Sequence, residues 1–287
     1  MRRTVFWAAI FLGAGACLAG DPAVSNVSAK QRGGGSKLVD IRYDAADSDG
    51  DRLTVSVSLT DNGTPVPAAS LSGDVGAGVR PGSGKCIVWD AVYAWAVAHG
   101  YSFDLAGSGK AANHPVQTVS WYDCVKWCNA RSEKEGRTPC YNLSTWACNF
   151  AANGYRLPTN TEWEYAARGG LSGRRFPWGD TIDHSRANYY SYTSGYTYDQ
   201  GYEGYDTRYS TGGYPYTSPA GSFEANGYGL YDMAGNVWEW CNDSSGSDRG
   251  IRGGGWGDFA YLARCGFSYW YYPDIAYFII GFRSVCR

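Results

Sequence analysis

Alternating apolar and polar positions give the first elements of this chain. In RLTVSVSL, Leu53, Val55, Val57 and Leu59 share one face while Thr54, Ser56 and Ser58 share the other. That is the two-residue period of a strand with one wet side. KLVDIRY before it and KCIVWD after it read the same way, so residues 24–90 are expected to form a β-rich module. The stretch falls short of the roughly 100 residues of a full immunoglobulin-like sandwich. A reduced sandwich, or a segment leaning on its neighbour, is the expectation. Within it, DSDGD (Asp47 to Asp51) has carboxylates at a spacing suited to Ca²⁺, but aspartate and glycine also suit a plain turn, which is favoured.

The period then changes to that of helices. SWYDCVKWCNARSEKEG offers Ser120 as N-cap, Asp123 in the first turn and Gly136 past the end. Trp121, Cys124, Val125 and Cys128 form its buried stripe. PTNTEWEYAARGG repeats the design, with Thr159 as cap, Glu162 closing a capping box and Gly169 as terminator. Glu162 and Glu164 are two apart and so do not face each other, which removes them as an acid–base pair. From Asn188 to Tyr216 neither period holds. Ten tyrosines and many glycines occupy that tract, which is expected to fold onto the domain as a long functional loop.

Composition sharpens the picture. Net charge is −2, which supplies no basic field for nucleic acid. A hydrophobic share of 44% allows a real core, and 24 Tyr, 12 Trp and 39 Gly against two Met point to loops and a contact surface. Arg2 and Arg3 precede a short apolar run ending in small residues, the pattern of a signal peptide over 1–19; Cys17 would allow a lipoprotein anchor instead. Eight cysteines remain after that segment, an even number suited to an oxidising compartment. Cys140 and Cys148 flank a short loop and are candidates for a local disulfide; buried free thiols are the alternative. The end of the chain is unusual: of the 32 residues Trp256 to Arg287, eleven are aromatic and five charged.

HPVQTVSWYD, GYRLPTNTEWEYAARGG, FPWGD, NGYGLYD, GLYDMAGNVWEW, RGGGW and the final GFR resemble, from His114 to Arg287, the sulfatase-modifying-factor family, whose best-known members are formylglycine-generating enzymes. The resemblance implies an irregular α+β, C-type-lectin-like domain over 91–287, with few short helices and many loops, although an N-terminal slice of the family domain looks to be missing. It implies a structural calcium site from the Asp232 and Glu239 side chains with the Gly235 and Val237 carbonyls, and a second beginning at Asn188 and Tyr189 whose acidic partner falls near Gly212. Active family members bind Cu(I) between two cysteines, and copper is not expected here. The family's two copper cysteines fall on Asp258 and Ala263, and the serine of its RGGSW motif is Gly255. Cys265 is a candidate partner for Cys241. His99, His114 and His184 show no metal-ligand spacing.

Between RGGGW and IGFR the chain keeps a family skeleton (Leu262, Arg264, Pro273, Ile280, Gly281, Phe282) and replaces its asparagine-rich filler. Gly257, Asp258, Phe259, Ala260, Tyr261, Tyr269, Tyr271, Tyr272, Asp274, Ile275, Tyr277, Phe278 and Ile279 are all reachable from asparagine codons through adenine changes, and Trp270 similarly from arginine. This resembles the variable proteins of diversity-generating retroelements. The expectation is a secreted, periplasmic or surface-held monomer that binds a protein or glycan ligand at a cell or phage surface. Trp256, Asp258, Phe259, Tyr261, Tyr269, Trp270, Tyr271, Tyr272, Asp274, Tyr277 and Phe278 would make its contacts. The alternatives are a copper-dependent formylglycine-generating oxidase and a structural, non-catalytic family member.

Overall fold

The computed structural model describes residues 6–13, 23–31, 38–48, 53–61, 64–66, 71–73, 76–111 and 113–287. The chain divides into two compact units, Met1–Ser102 and Phe103–Arg287.

The first unit is built of two antiparallel sheets. One has the order β1 (Phe6–Gly13), β4 (Leu53–Asp61), β5 (Thr64–Val66), with β7 (Gly76–Val79) also on β4. The other runs β2 (Ala23–Gln31), β3 (Leu38–Ala46), β8 (Gly82–Asp90), β6 (Leu71–Gly73). Leu53, Val55, Val57 and Leu59 are buried and Thr54, Ser56 and Ser58 exposed, as the alternation requires. Within the expected signal peptide, Phe6–Gly13 is paired with β4, and the rest lies outside the described residues, as does most of DSDGD. Helix α1 (Ala91–Ala98) is capped by the Asp90 carboxylate. Its sequence, AVYAWAVA, is apolar all round, so no helical period betrays it.

The second unit holds α2 (Trp121–Lys134) and α3 (Asn160–Arg168). Both caps follow from sequence: Ser120 Oγ accepts from the Asp123 amide, and Thr159 and Glu162 form a reciprocal capping box. Gly169 ends α3 at φ 54°, in the left-handed region. The main sheet has the order β14 (Ser268–Tyr271), β13 (Asp248–Arg252), β12 (Trp238–Ser245), β15 (Ile280–Gly281). Two-residue strands close the loops: β9 (Tyr155–Arg156) pairs with β16 (Val285–Cys286), and β10 (Tyr190–Ser191) with β11 (Gly204–Tyr205). The core packs Trp121, Cys124, Val125 and Cys128 of α2 against Trp238, Trp240, Ile251 and Ile280 of the sheet. This is an irregular α+β architecture in which most of the chain is loop.

Candidate functional site

The tyrosine and glycine tract is ordered around two buried carboxylates that sequence reading passed over. Asp199 accepts hydrogen bonds from Ser191 Oγ (2.9 Å), the Tyr192 amide (2.7 Å), the Gly201 amide (3.1 Å) and Tyr189 Oη (2.5 Å). Asp206 holds Arg208 (2.6 Å) and the Tyr202 hydroxyl (3.1 Å). Each carboxylate thus replaces several lost water contacts and fixes a loop whose regular structure is the two-residue β10–β11 pair.

That tract is tied to the aromatic tail. The Tyr190 amide donates to the Asp258 carbonyl (2.9 Å), and Tyr190 and Phe259 form a parallel bridge. Phe259 then touches the rings of Tyr190, Tyr192 and Tyr196, with centroids 5.6, 5.4 and 6.4 Å away. Contacts continue through Tyr196 to Tyr261 and Phe267 on one side. On the other they pass through Tyr205 to Trp256, Tyr214 and Phe278. One network of rings therefore joins two segments far apart in sequence.

The residues of the two segments divide by exposure. Phe259, Tyr269, Tyr272, Asp274, Tyr277 and Phe278 face solvent, together with Tyr192, Tyr202 and Tyr214 of the tract. Tyr261, Trp270 and Tyr271 are half-buried, and Tyr271 packs against the core. Two expected contact residues do not lie at the surface. Trp256 is only 2% exposed and lies beneath Tyr214, Tyr216 and Phe278. Asp258 is turned inward, where Oδ2 accepts from Trp238 Nε1 (2.6 Å) and the Gly255 amide (2.9 Å); burial pushes its carboxyl up.

The same geometry fills the place where the resemblance puts the copper chemistry. A Cβ on Gly255 would stand 2.3 Å from Ile279 Cγ1 and 3.2 Å from Asp258 Oδ2. Ala263 is buried. Ile279 and the bonded Asp258 carboxylate thus crowd the serine position, and neither Asp258 nor Ala263 offers a thiolate.

Among the expected calcium donors, Asp232 sits at φ 55°. Its Oδ2 accepts from the Gly221 amide (2.6 Å), while the buried Oδ1 has no hydrogen-bond partner among the described residues. Burial pushes its carboxyl up, and Glu239 adds to the effect. An orphaned carboxylate oxygen beside a second carboxylate suits a hard cation. Glu239 differs: Trp163 Nε1 (2.6 Å) and Arg283 occupy both its oxygens. Asp232 therefore fits a cation better than Glu239 does. Gly235 packs on the Asn188 carbonyl so tightly that a Cβ would lie 2.3 Å from it. The second set is spent within the fold. Asn188 Nδ2 donates to the Tyr216 carbonyl (2.8 Å), Tyr189 Oη to Asp199, and Gly212 lies in open space. Among the described residues no three His, Cys, Asp or Glu side chains converge as a metal site.

The expected disulfides are not formed. Cys140, Cys148, Cys241 and Cys265 are free thiols. Cys241 and Cys265 instead fill apolar space with Trp163, Ala167 and Met233, and burial pushes Cys265 up to about 11. Cys140 and Cys148 belong to the core around α2.

Two capped helices, a small sheet, a C-terminal strand returned to β9 and long pinned loops define a C-type-lectin-like α+β domain. Residues 82–287 match the sulfatase-modifying factor enzyme 1-like domain, and the chain belongs to that family. It is 34% identical over 197 residues to the mouse (Mus musculus) formylglycine-generating enzyme, covering 60% of this chain and 44% of that protein. It is also 34% identical over 181 residues to the mouse inactive C-alpha-formylglycine-generating enzyme 2, covering 59% and 48%. The chain thus spans about half the length of these relatives. Among solved structures, CarF aligns with a TM-score of 0.54 and 29% identity, covering 68% of this chain and 80% of its own. Treponema denticola variable protein 1 aligns with a TM-score of 0.48 and 26% identity, covering 65% and 75%.

Proposed function

We propose that this chain is a ligand-binding module on a formylglycine-generating-enzyme-like scaffold, acting as a monomer outside the cytoplasm. One observation carries the reading: Phe259, Tyr269, Tyr272, Tyr277 and Phe278 present large rings to solvent from loops pinned by a separate core. Exposed aromatic clusters of this kind are costly on a monomer and usual at binding surfaces. All five are positions where an asparagine codon can be rewritten through adenines, and none of them lies in the GFR motif. The ligand is a protein or glycan at a cell or phage surface. Calcium, held by Asp232 with neighbouring carbonyls, would brace the loops and supply no chemistry.

Oxidase activity is disfavoured by the residues Gly255, Asp258 and Ala263 where serine and two thiolates would stand, and by the Ile279 side chain that fills the space at Gly255. The mouse relative named as inactive is precedent for the fold without that activity. Sequencing the last stretch of the gene across a population of source cells tests the proposal. Variation concentrated between Trp256 and Ile279 with GFRSVCR constant is the expected result. An invariant tract together with copper-dependent oxidation of a cysteine peptide would replace the reading with the enzyme.

A further inference from the structure

Resting on that reading, we propose that the rings over Trp256 form a subsite for a proline-rich, polyproline-II segment of a partner protein, with the Trp256 indole N–H reserved for one of its carbonyl oxygens. The indoles of Trp121, Trp163, Trp178, Trp238 and Trp240 each donate a hydrogen bond. Trp256 Nε1 is buried and has no partner among the described residues. A buried donor left unmade is a standing cost, and its retention calls for an acceptor that arrives with a ligand.

The surroundings say which ligand. Four rings, Tyr205, Tyr214, Tyr216 and Phe278, lie 5.2–5.8 Å from Trp256 between centroids. None carries a charge, and the nearby Lys110 ammonium is spent on the Tyr209 and Thr211 carbonyls. A sugar would bring several hydroxyls that each need a partner; the Tyr205 and Tyr214 hydroxyls are bonded to each other, which leaves the Tyr216 hydroxyl and the indole N–H to meet them. A proline-rich segment brings flat apolar rings, few backbone N–H groups and unpaired carbonyls, matching aromatic faces with an unspent indole donor. Tyr214 is the lid of this subsite. It is 64% exposed and follows Gly212 and Gly213, both at positive φ with no atom within 4 Å of a Cβ position. Displacing its ring opens the path to the indole.

The test screens the whole chain against a peptide library with two spaced prolines and randomised flanks, the same library with alanine for proline, and a neutral glycan array. Enrichment on the proline library is expected, with Trp256→Phe weakening it roughly tenfold, the size of one hydrogen bond. Because Trp256→Phe alters a buried ring, the Trp256 indole N–H resonance of the unaltered protein is followed as well. It should shift to saturation with bound peptide and exchange more slowly with solvent. Enrichment on the alanine library or glycan array, no enrichment at all, or an indole resonance unmoved by bound peptide overturns the inference. A ligand whose capture depends on Tyr272 and Tyr277 but not on Trp256 would sink this subsite and leave the general binding reading standing.

Discussion

Ile279 occupies the space that any side chain at residue 255 would need, its Cγ1 only 2.3 Å from where a Cβ on Gly255 would lie. One residue sits in the glycine run before the tail and the other at the tail's end, so the last loop packs onto the emptied chemical position. Gly255→Ala should destabilise the domain by about 1–3 kcal/mol through overpacking. Adding Ile279→Ala should return part of that loss, a coupling that denaturant unfolding of the four-protein cycle measures.

Neighbouring tyrosines should behave oppositely. Tyr272 is 61% exposed, whereas Tyr271 packs on the α2 core. Tyr272→Ala should leave stability within about 0.5 kcal/mol, while Tyr271→Ala should cost about 2 kcal/mol. Equal effects on the melting temperature would contradict the division between support and surface.

Acid should expose the capping box of α3. Bonds from Arg156 hold Glu162 down at about 2, against an ordinary 4.5, despite an opposing effect of burial. A carboxyl depressed on folding stabilises fully above pH 4.5, and that contribution disappears as pH falls through about 2. Glu162 is 44% exposed, so solvent screening limits the effect to about 1 kcal/mol. Glu162→Gln should therefore be less stable than the parent at neutral pH and indistinguishable from it near pH 2.

Calcium should raise the melting temperature and a chelator should reverse it. At free calcium roughly 100 times Kd the gain would be about 2.7 kcal/mol. Asp232→Asn tolerates the φ of 55° and removes only the charge, so it should abolish the response. A full response in that variant would place the ion elsewhere.

Elements governed by local rules were legible in sequence: the alternation of Leu53 to Leu59, the caps Ser120 and Thr159, and the terminator Gly169. The helix α1 was not, because AVYAWAVA has no polar face to set a period. The joining of the Tyr190 and Phe259 segments was equally hidden, since it depends on long-range bonds organised by Asp199 and Asp258. Exposure within the tail also escaped, because composition treats Trp256, Tyr271 and Tyr272 alike, and the codon pattern treats Tyr271 and Tyr272 alike, while packing separates them. Shared core space put Cys241 and Cys265 together without a bond between them.

The most direct measurement pairs binding with melting for Tyr272 and Tyr277 changed together to alanine. The purified chain and this variant would be titrated onto intact cells of a panel that binds the parent, and both would be melted. Loss of at least tenfold in affinity at an unchanged melting temperature is expected, since about 1.4 kcal/mol of contact energy suffices. Undiminished binding, or a collapse in melting temperature, would show that these rings serve the fold instead of a ligand.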